Sequence, residues 1–333
     1  MNISQLRKLC LGAKVFPNEI ITWIEENNLW NIWVPQSYGG LELTLTEGLK
    51  KLKHLAKIDG SLGWTLTLCS GANYFVGNLQ PEAAENIFKN KPSQISFGGS
   101  GGIFGTAEKF GNIYRINGTW RYATGAPYLS HMTLSAKILE NGRQVKNSDG
   151  TDMMKSFVIP REKVELIKDW STMGMQATAT HSFKVCDVEV EEKYSFVYDK
   201  FYTSQDVFKI PFRVFADFTL WVNYLGMFAH FIEEGYESLT EKRQKMLLQI
   251  DSETENLLFK LASHVEYQIE KAESITEEDQ AEIHRLASAS VKKMTAAITS
   301  VYPYLGVKAS RTDQQLNQIF RDYFTATQHH IFR

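Results

Sequence analysis

The chain has 333 residues, 43% of them hydrophobic, 12% aromatic and 22% charged, with a formal net charge of -2. That length exceeds what one hydrophobic core usually organises, and the near-neutral balance excludes the electrostatic footprint of a nucleic-acid or membrane-surface binder. Cys10, Cys69 and Cys186 lie far apart without CxxC or metal spacing, no apolar run resembles a signal peptide or a span, and no paired His/carboxylate spacing suggests a metal; a cytoplasmic protein with unpaired thiols is expected.

Residues 1–90 read as a helical domain. Leu49, Leu52, Leu55 and Ala56 follow a helix period, punctuated by SYGG (37–40) and DGS (59–61). Near Pro92 the character changes, and 91–205 read as a β domain. It opens on the glycine-rich SFGGSGGIFG (96–105). In NIYRINGTWRYATG (112–125), Asn117-Gly118 between alternating apolar residues predicts a two-residue hairpin turn. Further strands are expected at 156–160 and 182–190, where the inward phase slips near Asp187 as a bulge would cause.

Residues 206–333 read as four helices of a bundle. Leu258, Leu261, Ala262, Val265 and Ile269 form one apolar stripe; Ile283, Leu286, Ala287, Met294, Ala297, Ile298 and Val301 form another. Helix starts are expected at Ser252 with Glu255, at Thr276 with Asp279, and at Thr312. The expected class is therefore α+β, in the order helical, β, helical.

No GxxxxGK[ST] phosphate loop and no GxSxG elbow occurs, and GGSGGIFG does not open a helix after a strand, which argues against a dinucleotide-binding βαβ unit. Four stretches taken in order do point somewhere: WVPQSYGG (33–40), GNIYRINGTWRYATGA (111–126), WSTMGMQATATHSFKVCDVEV (170–190) and FRDYF (320–324). In their motifs and their domain alternation they resemble the acyl-CoA dehydrogenase superfamily of flavoenzymes. Gln176 stands where the family's third stretch carries arginine, and the family's R-x-x-F-G is not visible in EGYESLTEKRQKML (234–247).

The resemblance implies an N-terminal helical domain, a middle β-barrel and a C-terminal four-helix bundle, with FAD or FMN between barrel and bundle. It also implies a homo-oligomer, dimer or homotetramer. Many family dehydrogenases place a glutamate base eight residues after the aspartate of R-D; here that position is His330. The branch comprising two-component monooxygenases, which take reduced flavin from a separate reductase, carries a histidine seven residues after that pair; here it is His329. DGSLGWTLTLCSGANYFVGNL (59–79) also sounds like this branch.

The first reading is therefore reduced-flavin monooxygenation of an aromatic or heteroatom small molecule, with His329 moving a proton. The alternatives are acyl-CoA dehydrogenation with a displaced base, for instance Glu233 or Glu234, and a non-catalytic flavin-binding member. Phe97, Gly98, Gly99, Ser100, Trp120, Tyr122, Ala123 and Thr124 are the implied cofactor residues, Ser100 and Thr124 as donors to the ring edge and Trp120 as a stacking or core residue. Trp64, Ser70 and Asn73 are implied substrate residues, with core or cap roles as the alternative. Arg321 and Asp322 are expected to pair with neighbouring helices. A helical run through 312–330 would put Asp322, Thr325 and His329 on one face, with His330 pointing elsewhere.

Overall fold

The computed structural model describes residues 1–89, 94–198 and 200–332. The boundary expected at 90/91, with Pro92 beside it, lies outside the described residues. Five helices come first: α1 (Ile3–Cys10), α2 (Asn18–Glu26), α3 (Leu45–Ile58), α4 (Gly60–Asn73) and α5 (Pro81–Phe88). A single residue, Asp59, separates α3 from α4; it is extended, and its Oδ1 accepts the Leu62 amide at 2.9 Å, capping α4.

Eight strands follow: β1 (Phe97–Phe110), β2 (Ile113–Ala123), β3 (His131–Glu140), β4 (Arg143–Gln144), β5 (Met154–Pro160), β6 (Glu165–Ile167), β7 (His181–Glu191) and β8 (Ser195–Phe196). They form one sheet in the order β6-β7-β2-β1-β3-β5-β8, with β4 on β3; β1 and β3 run parallel. Among the described residues β6 and β8 do not pair, so the expected barrel is an open sheet in its backbone bonding.

Asn117-Gly118 does not make the hairpin. β2 runs straight through it, and the turn falls at Gly111-Asn112, joining Phe110 to Ile113. Asn117 instead trades two side-chain bonds with Asp187, accepting its amide at 2.9 Å and donating to Oδ1 at 3.0 Å. Asp187 has φ 50°, and the β2–β7 register shifts there, which is the slip expected from the apolar phase.

The last helices are α6 (Phe212–Gly235), α7 (Glu241–Glu270), α8 (Glu277–Val301) and α9 (Gln315–Ala326). The capping box at Thr276 and Asp279 opens α8 as expected. Ser252 starts nothing: α7 passes through it, because Ile250, Thr254 and Leu258 bury one continuous stripe whose packing outweighs a cap worth about 1 kcal/mol. Thr312 likewise lies ahead of α9 rather than at its start. α6 is apolar nearly all round and packs against α3, α4, α7, α8 and α9, as a central helix must.

Candidate active site

One cavity of about 270 Å³ opens where α4, β1, β3 and α6 converge, with residues 329–331 along its edge. Its size lies near the lower end of small-molecule sites, roughly 300–1,000 Å³. Phe212, Phe215 and Leu220 of α6 and Phe75 of the short helical turn after α4 (Tyr74–Asn78) supply an apolar wall; Gly98 to Gly101 and Thr124 supply a small-residue wall with hydroxyls. Gly71 on α4 and Gly101 on β1 both face this space, and a Cβ at either would meet nothing nearer than 3.9 Å. The space is therefore open because side chains are missing there, which suits a flat heterocycle against the strands.

His329 lines the cavity, but not from a helix. α9 ends at Ala326, whose carbonyl accepts the Tyr224 hydroxyl at 2.5 Å and the His329 amide at 2.9 Å, tightening the chain into a short turn. The three-residue face expected for Asp322, Thr325 and His329 therefore does not form. His330 lies beside His329, with ring centroids 4.6 Å apart, and both border the cavity. The His329 ring stands edge-on to Trp64 at 5.6 Å, and its Nδ1 accepts the Ile331 amide at 3.5 Å.

Of the residues singled out from the sequence, the cavity gathers Gly98, Gly99, Ser100, Thr124 and His329. Trp64 supports the histidine from behind. Phe97 and Ala123 are fully buried under the strands, and Trp120 lies in the sheet core, stacked on Phe183 with its indole donating to the Ser135 carbonyl at 2.9 Å. Tyr122 is exposed beside Trp170. Asn73 spends its whole amide on structure: it donates to Asn31 and to the Ile95 carbonyl, and accepts the Phe97 amide at 2.6 Å, fixing the start of β1. Ser70 is buried within α4. Ser100, expected to donate to a ring edge, donates to the Arg121 carbonyl.

Arg321 and Asp322 bind the loop 173–175, and Asp322 also lies against the start of the neighbouring helix α4, where a Cβ on Gly60 would meet its carboxyl at 2.9 Å. Arg321 donates to the Met173 carbonyl, and Asp322 accepts the Met175 amide at 2.5 Å. Gly174 between them lets the backbones touch; a Cβ there would sit 2.2 Å from the Arg321 carbonyl. Burial, then the neighbouring Asp59 carboxyl, push the Asp322 carboxyl far above the usual carboxylate range; burial also raises Asp59. Gln318 donates to Asp59 at 2.7 Å. Glu233 is held by Arg7 at 2.7 Å and Lys57 at 3.4 Å, and Glu234 lies 3.6 Å from Arg7, so ion pairing to α1 and α3 occupies the two displaced-base candidates.

Residues 250–333 match the family described as acyl-CoA dehydrogenase, C-terminal domain. The solved HsaA monooxygenase from Mycobacterium tuberculosis superposes with a TM-score of 0.87 at 18% identity, over 99% of this chain and 92% of that one. The last 84 residues are thus similar to the acyl-CoA dehydrogenase family, and nearly the whole chain shares the fold of that monooxygenase. XiaF from a Streptomyces species, solved with FADH2 and glycerol, shares the superfamily fold at a TM-score of 0.87 and 17% identity, over 99% of this chain and 89% of that one. By sequence, indole-3-acetate monooxygenase of Pseudomonas putida is 28% identical over 212 residues, 63% of this chain and 52% of the relative. The chain thus spans about half the length of the curated relatives it matches. HsaA itself is described as the oxygenase subunit of a flavin-dependent monooxygenase.

Sequence reading missed the α6 contribution to the cavity. The signal was present: a 24-residue helix with apolar residues on every side needs partners all round, and a gap in that shell is a pocket.

Proposed function

We propose that this chain is the oxygenase component of a two-component monooxygenase, using reduced FAD or FMN on an aromatic or heteroatom-containing small molecule. The observation that carries this reading is the make-up of the cavity wall. It joins small residues, hydroxyls, aromatic rings and an imidazole, and among its described lining residues none is Asp or Glu. A dehydrogenase of this fold needs a carboxylate base at the reacting carbon; the wall offers His329 in its place.

The residues divide the work. Gly71 and Gly101 leave room for a ring, Gly98 and Gly99 let β1 pack closely on Leu129 and Thr133, and Phe75, Phe212, Phe215 and Leu220 exclude water and favour an aromatic guest. Reduced flavin, when bound, supplies the electrons for oxygen activation. His329, its ring braced by Trp64, accepts or returns a proton at the substrate, as an imidazole can. The same reading carries a separate flavin reductase as partner, a homo-oligomer (dimer or tetramer), a cytoplasmic setting, and domains at 1–90, 91–205 and 206–333. No helix among the described residues is long and apolar enough to cross a membrane.

Oxygen uptake with reduced flavin and a panel of phenols, indoles and thioethers tests the proposal. Substrate-dependent formation of an oxygenated product supports it. Anaerobic bleaching of bound oxidised flavin by an acyl-CoA would replace it with the dehydrogenase reading. Uptake of neither flavin form would leave a non-catalytic family member.

A further inference from the structure

A row of threonine hydroxyls leads out of the cavity into the protein. Thr124, on the cavity wall and 6% exposed, has its Oγ1 3.2 Å from that of Thr180; Thr180 Oγ1 lies 2.7 Å from that of Thr178. Thr178 donates to the Met175 carbonyl at 2.7 Å. All three side chains are buried, and neither Thr178 nor Thr180 lines the cavity.

The direction of the protons along this row follows from its far end. A carbonyl oxygen only accepts, and two oxygens 2.7 Å apart need a proton between them, so the one hydroxyl proton of Thr178 points at Met175. The contact between Thr178 and Thr180 is equally short, so its proton comes from Thr180. That leaves Thr180 only as acceptor toward Thr124, and the Thr124 proton turns inward to meet it. The Thr124 hydroxyl then has only lone pairs left for any group that reaches it from the cavity. The expectation that Thr124 donates to a ring edge is reversed.

We propose that Thr178 and Thr180 are positioning residues that fix Thr124 as a hydrogen-bond acceptor and thereby select the reduced over the oxidised isoalloxazine. This rests on the flavin reading above. Reduction converts ring nitrogens that only accept into N–H groups that donate, so a fixed acceptor rewards the reduced ring and meets the oxidised one lone pair to lone pair. A freely rotating hydroxyl would serve both forms equally. The selectivity is set two side chains away from the ligand, in residues that never touch it.

The test is the ratio of dissociation constants for oxidised and reduced FMN and FAD, measured anaerobically by ultrafiltration on the full chain. Wild type is expected to bind the reduced form more tightly. Thr180→Val, which keeps shape but frees the Thr124 rotor, is expected to lower that ratio about fivefold, the worth of one net hydrogen bond. Thr180→Ser should retain the wild-type ratio, and Thr178→Val should lower it as well, since Thr180 can then donate to Thr124. Thermal melts check that each variant folds, and Thr178→Val with Thr180→Ser carries the test should Thr180→Val not fold. A ratio unchanged in Thr180→Val or Thr178→Val, with wild type still binding flavin, overturns the relay and leaves the flavin site standing. Failure of wild type to bind either form overturns both.

Discussion

Two regions join the helices to the sheet, and they are built on opposite plans. At the junction of Asp322 with the loop 173–175, every approach is closed: Gly174 admits the α9 backbone, Gly60 admits the Asp322 carboxyl, and Asp59, Gln318 and Met175 share the buried polar atoms. A few residues on, at His329, the same segment of chain borders a space that glycines keep open. Glycine serves both regions, in the first because no atom fits and in the second because none should. The junction is where packing fixes the frame; the cavity is where the frame leaves room for chemistry.

Paired glycine substitutions break this contrast most sharply. Gly174→Ala drives a Cβ into the Arg321 backbone and is expected to cost about 2–3 kcal/mol, the upper range for overpacking, read as a lower urea midpoint. Gly71→Ala, inside α4 with open space before it, should instead stabilise by roughly 0.5–1 kcal/mol. It should also weaken flavin or substrate binding, because the methyl enters the cavity. A Gly71→Ala protein that binds as wild type does would separate this cavity from the ligand site.

His329→Ala comes next in size. Turnover should fall at least about tenfold while flavin is retained and the melting temperature changes little, since the ring lies at the cavity edge beside Trp64 and His330. Unchanged turnover would remove His329 from the reaction.

Asp322 sharpens the other side. The folded chain holds a proton on this buried carboxyl that the unfolded chain releases near pH 4. Its contribution to stability is therefore complete below that pH and drains away as pH rises through neutrality toward the raised folded value. Asp322→Asn, which cannot ionise and keeps an acceptor for Met175, should flatten the fall in urea midpoint between pH 5 and pH 8 and be the more stable protein at the alkaline end. An unaltered slope would place the titrating group elsewhere. The smallest effect belongs to Glu233→Gln: breaking a half-exposed ion pair with Arg7 should cost under about 1 kcal/mol and leave turnover unchanged.

Local chemistry that acts alone was legible. The Thr276 box, the phase slip at Asp187 and the apolar stripes of α7 and α8 all followed from spacing, because a cap, a bulge and a stripe each depend on residues close in sequence. Signals that compete were misread. Ser252 and Glu255 match a helix start, yet the buried stripe of α7 ran through them; Asn117-Gly118 matches a turn, yet Asp187 on a distant strand took up the asparagine. The glycine-rich strand and the terminal histidine do line the cavity, whereas Trp120 and Asn73 went to the core.

By itself the sequence determined the alternation of helical and β segments and the resemblance to a fold, since motif order and periodicity are properties of the chain. Only the tertiary structure decided that His329 leaves the helix, that Asp322 meets Met175, and that Thr124, Thr180 and Thr178 form a row of hydroxyls running inward from the cavity wall. Hydrogen-bond direction and enclosed volume depend on groups brought together from separate elements, and no local pattern carries that information.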